Sequence, residues 1–340
     1  ALAMAVTYPA AGNIGGGGFM TIRFAKTGEV IFLDYREMAP GSARKDMFAS
    51  EEAQKKKWSD MGGRAAGVPG FVKGMFYALE KYGTMSFAEV AQPAIRLAEQ
   101  GFVLEAKQNE PIQEFFDQLV EQNKVEDLPV LKDGLPLEGG QLLKQTNLAK
   151  AFRLLSKDGE KAFYEGPIGQ ALIATINKNT RQKTMTMEDL KKYHVEVRKP
   201  VEGTYRGYHI YSAPPASSGG THVIQLLNMM ENYDVKAMGP KSLEKLHLFT
   251  EAMRLVFADR TKYMADTAFA KVPLKGLTSK AYAKELIRRI QPDRAMAKGT
   301  PGDPWSFDGP SVSYKAGMGR EHFSTTHFST VDVQGNIANW

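Results

Sequence analysis

The chain has 340 residues, enough for one large domain or two ordinary ones with a substantial buried core. Its 43% hydrophobic and 24% charged residues are ordinary for a globular protein, and no run reaches the roughly eighteen consecutive apolar residues of a membrane span. The net charge of +6 is spread over interleaved bases and acids, which argues against a nucleic-acid patch, and the absence of cysteine excludes disulfides, cysteine–zinc sites and thiol catalysis.

In chain order, residues 1–6 read as the end of a buried apolar helix whose start is missing, without the basic stretch that opens a signal peptide. Four glycines, Gly15 to Gly18, lead into a strand over 19–24; Lys26-Thr27-Gly28-Glu29 turns the chain into a second strand over 30–35, an antiparallel hairpin. From about 43 to 200 the pattern is helical. Residues 70–82, 87–101 and 147–158 carry apolar side chains at three- and four-residue spacing. The basic run Lys55-Lys56-Lys57 has acids on both sides and reads as a solvated face. Thr186 is a candidate N-cap for a short helix with Glu188 and Asp189 in its first turn.

Residues 201–211 read as strand, turn, strand about Arg206-Gly207, and the breaker cluster 213–220 leads into a helix over 221–233. The clearest helix follows, with Leu243, Leu246, Phe249, Met253, Val256 and Phe257 on one stripe. These segments divide one domain into first core strands (1–42), a mainly helical lobe (43–200), strands and helices (201–295), a flexible linker rich in Gly, Pro and Ser (296–324) and a strand-like end (325–340). Strands at both ends with helices between predict an α+β layered domain, here a fragment cut at both ends.

Several chemistries can be set aside. None of the six histidines pairs at the spacing of a zinc-peptidase helix, so no metal site is expected. The glycine run lacks the Lys-Ser/Thr of a phosphate loop; its expected role is a tight crossing under another segment. Ser217-Ser218-Gly219-Gly220 could offer backbone N–H groups to an anion, although a helix start is the expected role.

Two places keep a functional reading beside a structural one. Ser324-Thr325-Thr326-His327-Phe328-Ser329 is either a plain strand or the site of a threonine nucleophile. A threonine hydroxyl needs a base, and a peptide bond cut just before Thr325 would supply one in the new α-amine, with a reference pKa of about 8. Arg36, just beyond the second strand, is either a surface arginine paired with Asp34 or Glu37, or a bidentate clamp for a substrate carboxylate.

The segments Pro9-Ala10-Ala11-Gly12-Asn13-Ile14 with Gly15 to Gly18, Asp34-Tyr35-Arg36-Glu37-Met38-Ala39-Pro40, Gly67-Val68-Pro69-Gly70, Tyr205-Arg206-Gly207-Tyr208, Pro214-Pro215-Ala216-Ser217-Ser218-Gly219-Gly220, Ala258-Asp259-Arg260 and Thr325-Thr326-His327-Phe328-Ser329 with Asp332 and Gly335-Asn336 together resemble the γ-glutamyltransferase family over nearly the whole chain. The resemblance implies an N-terminal-nucleophile hydrolase with an αββα sandwich and a helical lobe. It implies a precursor that cuts itself at Ser324–Thr325 into a large and a small subunit, with Thr325 as the nucleophile and Arg36 as the residue that binds the α-carboxylate of the γ-glutamyl group. The implied substrates are glutathione and related γ-glutamyl compounds, with water or an amino acid as acceptor and no metal or organic cofactor. The implied partner is the small subunit of the same precursor, and the implied location is the periplasm or the exterior.

The family's oxyanion glycine pair and the polar residues that hold the substrate's α-amino group would lie beyond Trp340, so the 340-residue chain alone is expected to be inactive. The alternatives are a sister acylase, such as a cephalosporin acylase, and a non-enzymatic paralogue or fragment.

Overall fold

A computed structural model describes residues 1–178, 180, 183–308 and 325–340. Its core is a five-stranded antiparallel sheet, formed by β1 (Phe19–Arg23) and β2 (Val30–Asp34) at the start of the chain, β3 (Glu196–Arg198) in the middle and the pair Ser329–Val331 and Ile337–Asn339 at its end. The β1–β2 hairpin forms where expected, with Gly28 at φ 73° in the turn and Phe19 paired with Asp34 at its open end. Met20, Ile22, Leu33 and Tyr35 point to one face and enter the main apolar core. Phe19 and Phe32 stack on the other face with ring centroids 5.3 Å apart.

The core face is covered by helices α1 (Phe71–Tyr82), α2 (Gln92–Gln100) and α3 (Thr146–Asp158), whose apolar stripes supply Val72, Met75, Phe76, Ile95, Ala98, Phe152 and Leu155. The first residues form a helix, Leu2–Thr7, with Leu2, Ala5 and Val6 buried in the same core. A short helix, α4 (Met187–Lys192), brings the chain to β3 and carries the expected cap: the Thr186 hydroxyl accepts from the Asp189 amide while the Asp189 carboxylate accepts from the Thr186 amide.

Next come the separate hairpin of β4 (Val201–Tyr205) and β5 (Tyr208–Ser212), then α5 (Gly219–Met230), α6 (Leu243–Tyr263) and α7 (Lys280–Ile287), which enclose a second apolar cluster. Among the described residues no helix is long and apolar enough to cross a membrane.

Helix α6 departs from its expected orientation. Leu243, Leu246, Phe249 and Phe257 of the predicted stripe are 83%, 62%, 41% and 50% exposed. Of the stripe Val256 is buried; the helix otherwise buries Leu248, Ala252, Leu255 and Tyr263 together with two carboxylates, Glu251 and Asp259. The reason lies in the returning segment. Glu251 Oε2 accepts from the Met296 amide at 2.7 Å and Asp259 Oδ1 from the Gly302 amide at 2.9 Å, while Asp259 Oδ2 accepts from Gln225 and the Tyr282 hydroxyl. Buried carboxylates satisfied in this way are stable, and periodicity alone cannot anticipate partners supplied from so far along the chain.

Residues 296–308, read above as part of a flexible linker, are therefore docked, with Pro304 buried and the Gly276 amide donating to Asp308. The rest of that segment, 309–324, lies outside the described residues.

The terminal pair, β6 (Ser329–Val331) and β7 (Ile337–Asn339), sets the sheet order β6-β7-β1-β2-β3. The turn between them is tied by Asp332, whose carboxylate accepts from the Gln334 and Asn336 amides, and Asn336 in turn accepts from the Ala25 amide at 2.8 Å.

Candidate functional site

The site is assembled from the ends of strands. β1 runs antiparallel to both β2 and β7, with Phe19 opposite Asp34 and Thr21 opposite Asn339, and β7 is antiparallel to β6, with Asn339 opposite Ser329. The start of β1, the end of β2, the end of β7 and the start of β6 thus share one end of the sheet. Arg36 leaves β2 at that end and Thr325 enters β6 there. Two strands lie between them, a lateral offset of about 14 Å at about 4.8 Å per strand.

The glycine run forms the floor beneath Arg36. Gly18 and Tyr35 exchange backbone hydrogen bonds, and the Gly16 carbonyl accepts from the Gly70 and Phe71 amides. A side chain at Gly17 would meet the Tyr35 carbonyl oxygen at 2.6 Å and the Glu37 amide nitrogen at 2.7 Å. The run is therefore the tight crossing expected, not a ligand loop. Gly17→Ala should cost about 2–3 kcal/mol, read as a lowered midpoint in denaturant unfolding, because the atoms in the way are backbone and cannot swing aside.

Above this floor the Arg36 backbone is held on both sides. Its amide donates to Asp34 Oδ1 at 3.1 Å, and its carbonyl accepts from the Tyr193 hydroxyl at 2.9 Å. Burial pushes the Tyr193 phenol well above its ordinary pKa, so it remains a donor. The other Asp34 oxygen accepts from Arg198 Nε at 2.9 Å. The Arg36 side chain is exposed and lies over the Phe19 ring at 5.8 Å; among the described residues its guanidinium makes no ion pair. Asp34 thus binds the backbone of Arg36 rather than its charge.

Thr325 is exposed, and the chain after it enters the sheet through mutual Phe328–Trp340 backbone hydrogen bonds, with the two rings stacked at 5.3 Å. Ser324, the other half of the expected cleavage bond, lies outside the described residues. Tyr193 and Arg198 escaped sequence reasoning. They stand 157 and 164 residues from the groups they hold, and no motif surrounds them.

The sequence model of gamma-glutamyltranspeptidase matches residues 1–339. The chain belongs to the gamma-glutamyltranspeptidase family. It is similar to the glutathione hydrolase proenzyme of Escherichia coli (strain K12), 39% identical over 337 residues, which cover 98% of this chain and 55% of that protein. It is also similar to the crystal structure of Helicobacter pylori gamma-glutamyltranspeptidase, with a TM-score of 0.84 and 43% identity, over 88% of this chain and 86% of that one. An acylase ACY 1 proenzyme of Pseudomonas sp. (strain V22) is 36% identical over 345 residues, 99% of this chain and 58% of that protein. The chain spans little more than half the length of the curated relatives it matches. Its α+β fold is that of the N-terminal-nucleophile hydrolases among gamma-glutamyltranspeptidases.

In this chain the Ser217-Ser218-Gly219-Gly220 cluster starts α5, as expected. Ser217 Oγ accepts from the Gly219 amide, and Ser218 Oγ accepts from Arg260 Nε at 2.9 Å. Four residues on, His222 is buried, and its Nδ1 lies 2.6 Å from the Ser218 carbonyl. That contact makes Nδ1 the protonated nitrogen and leaves Nε2 buried without a partner among the described residues. Burial lowers the His222 pKa to about 4, with the Arg260 charge adding to the effect.

The native state thus binds fewer protons at His222 than the unfolded chain does between about 6.5 and 4. Its contribution to stability is complete above about 6.5 and is lost as the pH falls toward 4, about 3 kcal/mol in all. Denaturant unfolding at pH 7 and pH 4 should show that His222→Gln removes most of this component of the acid sensitivity.

Proposed function

We propose that the complete gene product is a γ-glutamyl hydrolase and transferase that acts on glutathione and other γ-glutamyl compounds, matured by self-cleavage at Ser324–Thr325. The observation that carries this reading is Arg36, locked at its backbone and, among the described residues, without an ion pair at its guanidinium, at the sheet end where Thr325 enters. An arginine side chain and a five-carbon acyl donor together fill a gap of the scale between them.

In maturation, the Thr325 hydroxyl attacks the Ser324 carbonyl carbon and the C–N bond breaks, giving an ester and a free α-amine. Water then cleaves the ester, leaving a carboxylate on Ser324. In turnover, that α-amine takes the hydroxyl proton as Oγ attacks the γ-carbonyl of the donor. The proton passes to the leaving nitrogen, an amine departs, and the γ-glutamyl ester on Thr325 is transferred to water or to an amino acid. Arg36 grips the α-carboxylate through two parallel hydrogen bonds. No step calls for a metal or organic cofactor. The partner of this chain is the small subunit of the same precursor, and we place the mature protein in the periplasm or outside the cell on the strength of the family resemblance.

The test is to purify the complete gene product and supply glutathione, γ-glutamyl-p-nitroanilide and a glutaryl-cephalosporin in parallel. Glutathione cleavage with two protein pieces on denaturing gels is the expected result. Preference for the glutaryl substrate would favour the acylase reading that the Pseudomonas relative keeps in play.

A further inference from the structure

We infer that Arg198 is a positioning residue that keeps Arg36 available to substrate by occupying the carboxylate of Asp34, two residues before it. The inference rests on the reading of Arg36 as the clamp for the donor's α-carboxylate.

Asp34 and Arg36 are two apart at the end of β2, and an aspartate so placed is the natural counter-ion for the arginine. A guanidinium already paired within the chain would make a substrate carboxylate compete with an internal one that is always present. The structure has a different pairing. Arg198, on the neighbouring strand β3 and diagonal to Asp34 on the same sheet face, donates Nε to Asp34 Oδ2 at 2.9 Å. The second Asp34 oxygen accepts from the Arg36 amide. Both carboxylate oxygens are thus engaged in a side chain only 7% exposed.

Arg198 is itself fixed from its far side: Nη1 donates to Thr267 Oγ1 at 3.2 Å and Nη2 lies 3.5 Å from Asp266 Oδ1, both just beyond α6. The result is a division of charge. Asp34 is satisfied by Arg198, and the Arg36 fork lies over the Phe19 ring with no acid in the described residues holding it.

The test uses the complete gene product and two chromogenic donors, γ-glutamyl-p-nitroanilide and 4-aminobutyryl-p-nitroanilide, which lacks the α-carboxylate. Arg198→Gln should raise KM for the first about tenfold while leaving kcat within about threefold, as Asp34 turns to Arg36. Adding Asp34→Asn removes the competitor, and the double variant should return to within about threefold of the wild-type KM. A purely structural role for Arg198 predicts the opposite, a double variant no better than the single one, and that result overturns the inference.

Arg198→Lys, which keeps the positive charge beside Asp34, should stay within about threefold of wild type. It carries the test if the glutamine variant does not mature, and a KM raised as far as in Arg36→Gln would count against us. Arg36→Gln separates the two levels. If it fails to abolish discrimination between the donors, the clamp reading itself is wrong. If it does abolish it and Arg198→Gln changes nothing, only the present inference falls.

Discussion

Thr325→Ala in the complete gene product should yield a single uncut polypeptide with γ-glutamyl turnover lower by about 10⁴-fold or more. The size follows from two losses at one residue. Without the hydroxyl there is no attack on the Ser324 carbonyl, and without the cut there is no α-amine to serve as base. Binding through Arg36 is untouched by the substitution, so the uncut protein should still hold a γ-glutamyl ligand, which calorimetry can measure. Thr325→Ser keeps an oxygen at the same place and should cut slowly, reaching two pieces over hours. Denaturing gels and intact mass report both variants. An alanine variant that matures and degrades glutathione would leave the proposed chemistry without a foundation.

The second large effect is expected at Arg36. Arg36→Gln should raise KM for γ-glutamyl donors about 10²–10³-fold, the order expected for removing one member of a bidentate, charge-assisted pair. Maturation should proceed normally, because the donor's carboxylate takes no part in cutting Ser324–Thr325. Arg36→Lys should recover only part of the loss, since an ammonium cannot present two parallel donors to one carboxylate. The side chain is exposed and its backbone is held by Asp34 and Tyr193 whatever it carries, so the thermal midpoint should move little. A KM that shifts alongside a collapse in stability would point instead to a structural role.

Much of this was legible from the residues, for reasons that differ by element. The β1–β2 hairpin is local: alternating side chains, a short turn and Gly28 decide it within sixteen residues. The cap at Thr186 is local as well, its partner Asp189 lying three positions on. The crossing at Gly17 was legible because four glycines have few other uses, although the segment crossed could not be read from spacing.

What failed to show in the sequence depends on distant partners. α6 has two plausible inner faces, and the apolar one was the natural choice; Glu251 and Asp259 turn inward because backbone amides from 296 and 302 meet them there. The partner of Asp34 was hidden for the same reason, since Arg198 reaches it from the neighbouring strand, 164 residues along the chain.

The interleaving of the last strands has a consequence for what a cut before Thr325 could achieve. β7 lies between β6 and β1, pinned to β1 through Thr21, Ile22 and Arg23, and Asn336 is fastened to Ala25. Severing the covalent thread would therefore not part the two products. Each would be born already woven into the other, and swapping halves between molecules would require tearing the fabric open.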